Sequence, residues 1–163
     1  MSPSKVEHLK NPSPNYQLLI IALATPLQIG VYCEGELIAQ RTSEQKTSEV
    51  LLPLLMELLE EYPVAEIIYT RGPGSYMAIK LTYIILKTIE ITRGIVCRGC
   101  SAFALNGNQP IKAIGNLYFI KEKETIMTKK FEQPVQVSFI LPQTLQHLPL
   151  DEASTPEYRL PAV

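Results

Sequence analysis

The chain has 163 residues, of which 46% are hydrophobic and 19% charged, with a formal net charge of −1. This suits one domain of ordinary size or two small lobes, and argues against a broad basic face gripping RNA directly, leaving only a local patch open. No apolar run approaches the roughly 20 residues of a membrane helix, no secretory core opens the chain, and three cysteines are an odd number for a disulfide framework, so a cytoplasmic protein is expected.

Residues 1–15, polar and proline-rich, are expected to form a flexible extension. The run YQLLIIALA (16–24) is continuously apolar, as in a central buried strand. QIGVYCEGELIAQR (28–41) then reads as two strands turning at Glu34-Gly35, so three antiparallel strands open the fold. In RTSEQKTSEVLLPLLMELLEEYP, Thr42 and Gln45 fit a capping box, and Thr47 or Ser48 offers a second cap. A start at Ser48 keeps Pro53 near the first turn, where fewer backbone bonds are lost. Leu51, Leu52, Leu54, Leu55, Leu58 and Leu59 span about 160° of this helix, with Glu49, Glu57, Glu60 and Glu61 crowding the remainder.

VAEIIYT (64–70) is the next strand, followed by RGPGSY and a helix from Tyr76 to Arg93 that ends at Gly94 in a left-handed cap. Lys80, Lys87 and Glu90 fall within about 80° of that helix, leaving most of its circumference uncharged. GIVCRG adds a strand and SAFALN a short helical start. The order β-β-β-α-β-α-β predicts a mixed α/β layer architecture. Beyond Asn106, IKAIGNLYFIKEKETIMTKK reads as a β-meander, PVQVSFIL (134–141) as a strand, and PLDEASTPEYRLPAV as an irregular tail.

The turn RGPGSY admits three readings. As a nucleophile, Ser75 lacks the second glycine of a G-x-S-x-G elbow, and neither His8 nor His147 sits in a recognisable motif. As a phosphate cradle, the turn opens a helix but carries neither a Walker lysine–serine pair nor G-x-G-x-x-G. As a corner, Gly72 and Gly74 supply unusual backbone angles, Pro73 stiffens the turn and Ser75 caps the helix. The corner is favoured. Cys97 and Cys100, in CRGC, invite a metal or redox reading. However, Cys33, His8 and His147 are too scattered to complete a zinc site, and a redox pair would open a helix rather than sit in a strand. No metal is expected.

The segment RGPGSYMAIKLTYIILKTIEITRGI resembles the GPGSFTGLRIG…AKGLA…GI segment of the TsaB (YeaZ) proteins, of the actin-like superfamily. Gly72, Pro73, Gly74 and Ser75 match as they stand. Tyr76 replaces a phenylalanine, Lys80 replaces an arginine, and Lys87 and Gly94-Ile95 match. SEVLLPLLMELL (48–59) is similar to the family's SE-LLP-I-ELL helix, including Pro53, and PEYRLP is similar to its closing PLYLR-P. The chain departs at Ala22-Leu23, where the superfamily places its phosphate-site aspartate, and at Met77 and Ala78, which replace threonine and glycine. It also carries a shortened distal part after Leu105.

The resemblance covers roughly residues 16–106 well and the tail faintly. It implies an α/β, actin-like (ASKHA, RNase H-like) lobe over 16–106 and a reduced C-terminal lobe and tail over 107–163. It implies a non-catalytic subunit that pairs with a TsaD-like paralogue, joined by a TsaE-like ATPase. Together these transfer threonylcarbamoyl to the adenosine next to the anticodon of tRNA. The chain would meet tRNA only through the complex, form a homodimer when alone, and hold neither catalytic residue, cofactor nor metal. A nucleotide at a subunit boundary is left open. Both helices carry more apolar circumference than one sheet covers, and the expected interface comprises Leu51, Leu55, Tyr76, Ile79, Lys80 and Tyr83. Two alternatives stand beside this reading: a nucleotide-binding or glycoprotease-like hydrolase, and a generic homodimeric interaction domain. Titration with ATP and magnesium separates the first, and co-purification from the native host the second.

Overall fold

The computed structural model describes residues 14–136 and 138–159; most of the expected N-terminal extension lies outside the described residues. β1 (Tyr16–Ile21), β2 (Leu27–Cys33) and β3 (Glu36–Ser43) are followed by α1 (Thr47–Glu61), β4 (Val64–Gly72), α2 (Tyr76–Arg93) and β5 (Val96–Ser101). A 3-10 turn (Ala102–Leu105) leads to β6 (Ile111–Ile114), β7 (Leu117–Glu122) and β8 (Thr125–Lys130). The first five strands form one mixed sheet in the order β3-β2-β1-β4-β5, antiparallel across β3-β2-β1 and parallel across β1-β4-β5. β6, β7 and β8 form a separate antiparallel meander.

β1 is apolar throughout its centre because both of its faces are covered. Leu18 and Ile20 point into a core built with α1 and α2, and Leu19 and Ile21 into a second core on the opposite face. The β2–β3 hairpin turns through Glu34 and Gly35, both at positive φ (51° and 80°), the backbone that matches strand twist in a tight hairpin. α2 ends as expected, at Gly94 with φ 68°. No helix among the described residues is long and apolar enough to cross a membrane.

The part after residue 106 packs on the face opposite the helices. Ile111, Ala113, Phe119, Phe139 and Leu141 share one core with Leu19, Ile21, Tyr32 and Ile68. The expected strand at 134–141 has no ladder among its described residues. Its backbone finds other partners: Ile140 N–H donates to the Leu105 carbonyl at 2.9 Å, and Gln28 Nε2 donates to the Phe139 carbonyl at 2.9 Å. It is held by side-chain burial rather than by pairing.

The start of α1 also differs from expectation. Thr42 and Ser43 pair with Gln28 and Leu27, so the proposed cap Thr42 lies in β3 while Gln45 falls beyond it, and Ser43 Oγ accepts the Gln45 N–H at 3.1 Å. Lys46 occupies the N-cap without a side-chain cap bond, and Thr47 and Ser48 are already helical. Pairing with β2 has claimed Thr42, and the helix itself has absorbed Thr47 and Ser48.

Candidate functional site at the Gly72–Ser75 turn

β4 delivers Gly72 at the sheet's end with φ 128°, a conformation that disfavours any residue with a Cβ. Pro73 and Gly74 follow, both buried, and Ser75 sits at the N-cap of α2 with extended backbone. The Ser75 carbonyl accepts the Ile79 N–H at 3.1 Å, but its hydroxyl makes no cap bond. Ser75 therefore holds the capping position without the capping interaction expected of it. A Cβ on Gly74 would lie 3.2 Å from the Leu23 side chain, so hydrocarbon fills the space beside the turn.

The other side of the turn is covered by the chain's own tail. A Cβ on Gly72 would fall 2.6 Å from the Glu157 carbonyl oxygen, and one on Gly99 would lie 3.1 Å from the Ala153 carbonyl oxygen. Both glycines admit the tail backbone to close approach. Arg71 pins it: Nε donates to the Thr155 carbonyl at 2.7 Å, and Nη1 donates to Asp151 Oδ2 at 3.0 Å and lies 3.5 Å from Glu157 Oε1. The Tyr69 hydroxyl donates to the Ser154 carbonyl, and the Asp151 N–H donates to the Gly99 carbonyl at 2.9 Å. Burial pushes the Tyr69 phenol above its usual range, keeping it a donor. At the far end, Tyr158 stacks on Tyr76, ring centroids 4.7 Å apart. Sequence reading missed Arg71 because its carboxylate partner Asp151 is 80 residues away. The only local signal is an arginine set between apolar strand residues and a glycine turn.

Cys97 and Cys100 lie on β5 and enter different cores, Cys97 on the helix side and Cys100 on the opposite side. Their side chains leave the strand on opposite faces. Among the described residues no group of three His, Cys, Asp or Glu gathers as a metal site.

The outward surface of α1 and α2 differs from the expected one. Leu51, Leu55 and Ile79 are buried within the chain. Leu51 and Leu55 face the sheet in the helix-side core, so these three are not the outward flank. The correction has a plain cause: apolar periodicity defines an arc but not which part of it meets the sheet. Tyr76 and Lys80 are exposed, Tyr83 is half-buried against the core, and the Lys80 ammonium stands 5.9 Å from the Tyr76 ring centroid. The exposed apolar residues are Leu52 on α1 and Met77, Ile84 and Ile91 on α2, the last three at every seventh position. Met77 and Ile91 are 70% and 73% exposed, which leaves an apolar row unpartnered along the helix.

No protein-family model matches the chain, and no curated protein matches its sequence. Among solved structures, the fold is similar to a Pseudomonas aeruginosa protein described as uncharacterized with similarity to the peptidase YeaZ. The TM-score is 0.55 at 14% identity, over 72% of this chain and 64% of that one. It is likewise similar to YeaZ from Pseudomonas aeruginosa, with TM-score 0.54 at 14% identity, over 72% of this chain and 65% of that one. At this identity the likeness is one of fold, and the chain spans just under two-thirds of the length of each neighbour.

Proposed function

We propose that this chain is a non-catalytic TsaB-type subunit of an actin-like fold, working in the cytoplasm beside a TsaD-like paralogue and a TsaE-like ATPase. It supports threonylcarbamoyl transfer to the adenosine next to the anticodon of tRNA. The observation that carries the reading is the unpartnered apolar row Met77, Ile84 and Ile91, together with exposed Leu52 on α1, on the helices of a YeaZ-like fold. Lys80 and Lys87 run along one side of that row, giving it a charged edge. The paralogue docks there, and a second copy of the chain takes its place when the paralogue is missing.

The turn supports an accessory rather than a chemical role. A carboxylate beside a phosphate would orient a metal or a water, whereas Ala22 and Leu23 offer hydrocarbon, and Leu23 packs against Gly74. The test is co-expression of the tagged chain with the TsaD-like paralogue of the same organism. Retention of the paralogue, with threonylcarbamoylated tRNA formed only when both are present, is the expected result. A chain that never retains the paralogue, or that hydrolyses ATP alone with magnesium, overturns the proposal.

A further inference from the structure

The β6–β8 meander is a basic island in an otherwise acidic chain. Residues 107–131 hold Lys112, Lys121, Lys123, Lys129 and Lys130 against Glu122 and Glu124, a net of +3, so the rest of the chain carries −4. None of these lysines pairs with a carboxylate among the described residues. Tyr118 on β7 stands opposite Lys112 on β6 and Lys129 on β8, so the three side chains share one face. Neighbouring strands lie about 4.8 Å apart, which sets the two lysine backbones about 10 Å from each other. Phe119 points the other way, into the core with Ile111. On the lysine-bearing face Tyr118 is itself buried, while Lys112 and Lys129 stand exposed.

Phe131 completes this face. Its N–H donates to the Asn116 carbonyl at 3.0 Å, continuing the ladder beyond β8. Its ring meets Tyr118 edge-on, with centroids 5.2 Å apart, and the Lys129 ammonium lies 5.3 Å from its centroid. The Tyr118 hydroxyl accepts the Val135 N–H at 3.1 Å, anchoring the following segment beside it. Between these groups lies a cavity of about 140 Å³, whose lining includes Lys112, Asn116, Tyr118, Phe131 and Glu132.

We infer that this cavity binds single-stranded RNA, taking one base that bears an exocyclic amino group while Lys112 and Lys129 hold the flanking phosphates. The half-buried Phe131 ring, backed edge-on by the buried Tyr118, offers the aromatic surface for a base, and lysines beside it follow the backbone. The Asn116 amide both donates and accepts, so it can read a base edge. The Glu132 carboxylate accepts only, which favours an amino group and drives phosphate out to the lysine rim. An acidic peptide gains nothing from the aromatic wall and is repelled by Glu132. The face lies across the sheet from α1 and α2, so the inference does not rest on the proposed pairing.

The test is fluorescence anisotropy of the full chain with labelled oligoadenylate, oligocytidylate and oligouridylate of roughly 10 nucleotides. Oligoadenylate and oligocytidylate are expected to bind more tightly than oligouridylate. With two phosphates neutralised, affinity should fall about sevenfold between about 50 and 200 mM salt. Lys112→Glu combined with Lys129→Glu should weaken binding about tenfold or more at unchanged melting temperature. Asn116→Ala and Glu132→Gln, both at exposed positions, should retain phosphate-driven binding and lose the base preference. Wild-type binding equal to that of the double glutamate variant overturns the inference. So does equal affinity for the three oligonucleotides, which marks a plain charged patch, or a preference for polyglutamate, which marks a protein surface.

Discussion

Arg71 and Glu157 hold each other twice: the Glu157 N–H donates to the Arg71 carbonyl at 2.7 Å, and their side chains approach to 3.5 Å. The Arg71 side chain is only 15% exposed and also engages Asp151 and the Thr155 carbonyl. Arg71→Ala leaves Asp151 without its cation, Glu157 with Arg159 alone, and the tail without its pin. A loss of about 1.5–3 kcal/mol is expected, the scale of a hydrogen bond to a charged group. Urea unfolding measures it, and limited proteolysis should cut 151–159 faster in the variant. An unchanged midpoint and unchanged cleavage would mean the tail is held by other contacts.

Gly72 and Gly94 both have positive φ but differ in surroundings. A Cβ at Gly94 meets nothing within 4 Å, whereas one at Gly72 meets the Glu157 carbonyl at 2.6 Å. Gly94→Ala should cost about 1–2 kcal/mol of backbone strain alone. Gly72→Ala should cost clearly more, adding displacement of the tail to the strain. Equal losses in parallel denaturation curves would count against close packing of the tail.

Ser75→Ala removes a hydroxyl that makes no cap bond. Its effect should stay below about 0.5 kcal/mol, the range of surface substitutions away from special features. A loss of about 1 kcal/mol or more, typical of a working cap, would show that the hydroxyl does bond the first turn of α2 in solution.

The two sides of the helices should respond differently to charge. Leu55→Glu places a carboxylate at a fully buried position and should unfold the chain. Ile84→Glu, at an exposed position, should leave circular dichroism and melting unchanged while weakening association about tenfold or more. Light scattering and retention of the TsaD-like paralogue check it. Intact association in a folded Ile84→Glu protein would move the interface off this row.

Burial pushes the Cys97 and Cys100 thiols from 9.0 up to about 12, because each thiolate would lose its hydration. Between these values the unfolded chain releases protons that the folded chain keeps. The associated stability is therefore full below about pH 9 and declines as pH rises toward 12. Urea midpoints at about pH 8 and about pH 10.5 should diverge, and diverge less in a variant with both cysteines changed to alanine. Equal divergence would assign the alkaline loss to other groups.

What the sequence determined by itself was local and periodic. The continuous apolar run of β1, the Glu34-Gly35 hairpin, Gly94 at the end of α2 and the β-β-β-α-β-α-β order all follow from neighbouring residues, and all are present. Gly72 and Gly74 were both singled out for unusual backbone angles; Gly72 does lie at positive φ, whereas Gly74 does not. Tertiary structure decided the rest. Leu51, Leu55 and Ile79 went to the interior because only the sheet selects which part of an apolar arc is covered. The capping box of Thr42 and Gln45 lost Thr42 to pairing with β2, which a local motif does not anticipate. The segment 134–141 placed Phe139 and Leu141 in the core but, among its described residues, found no strand to pair with. Arg71 acquired its importance only when the tail returned across 80 residues to bring Asp151 within 3.0 Å. Short-range order is encoded by residues that touch in sequence; which faces meet, and which charges pair, depends on chain closure over distances that no local pattern records.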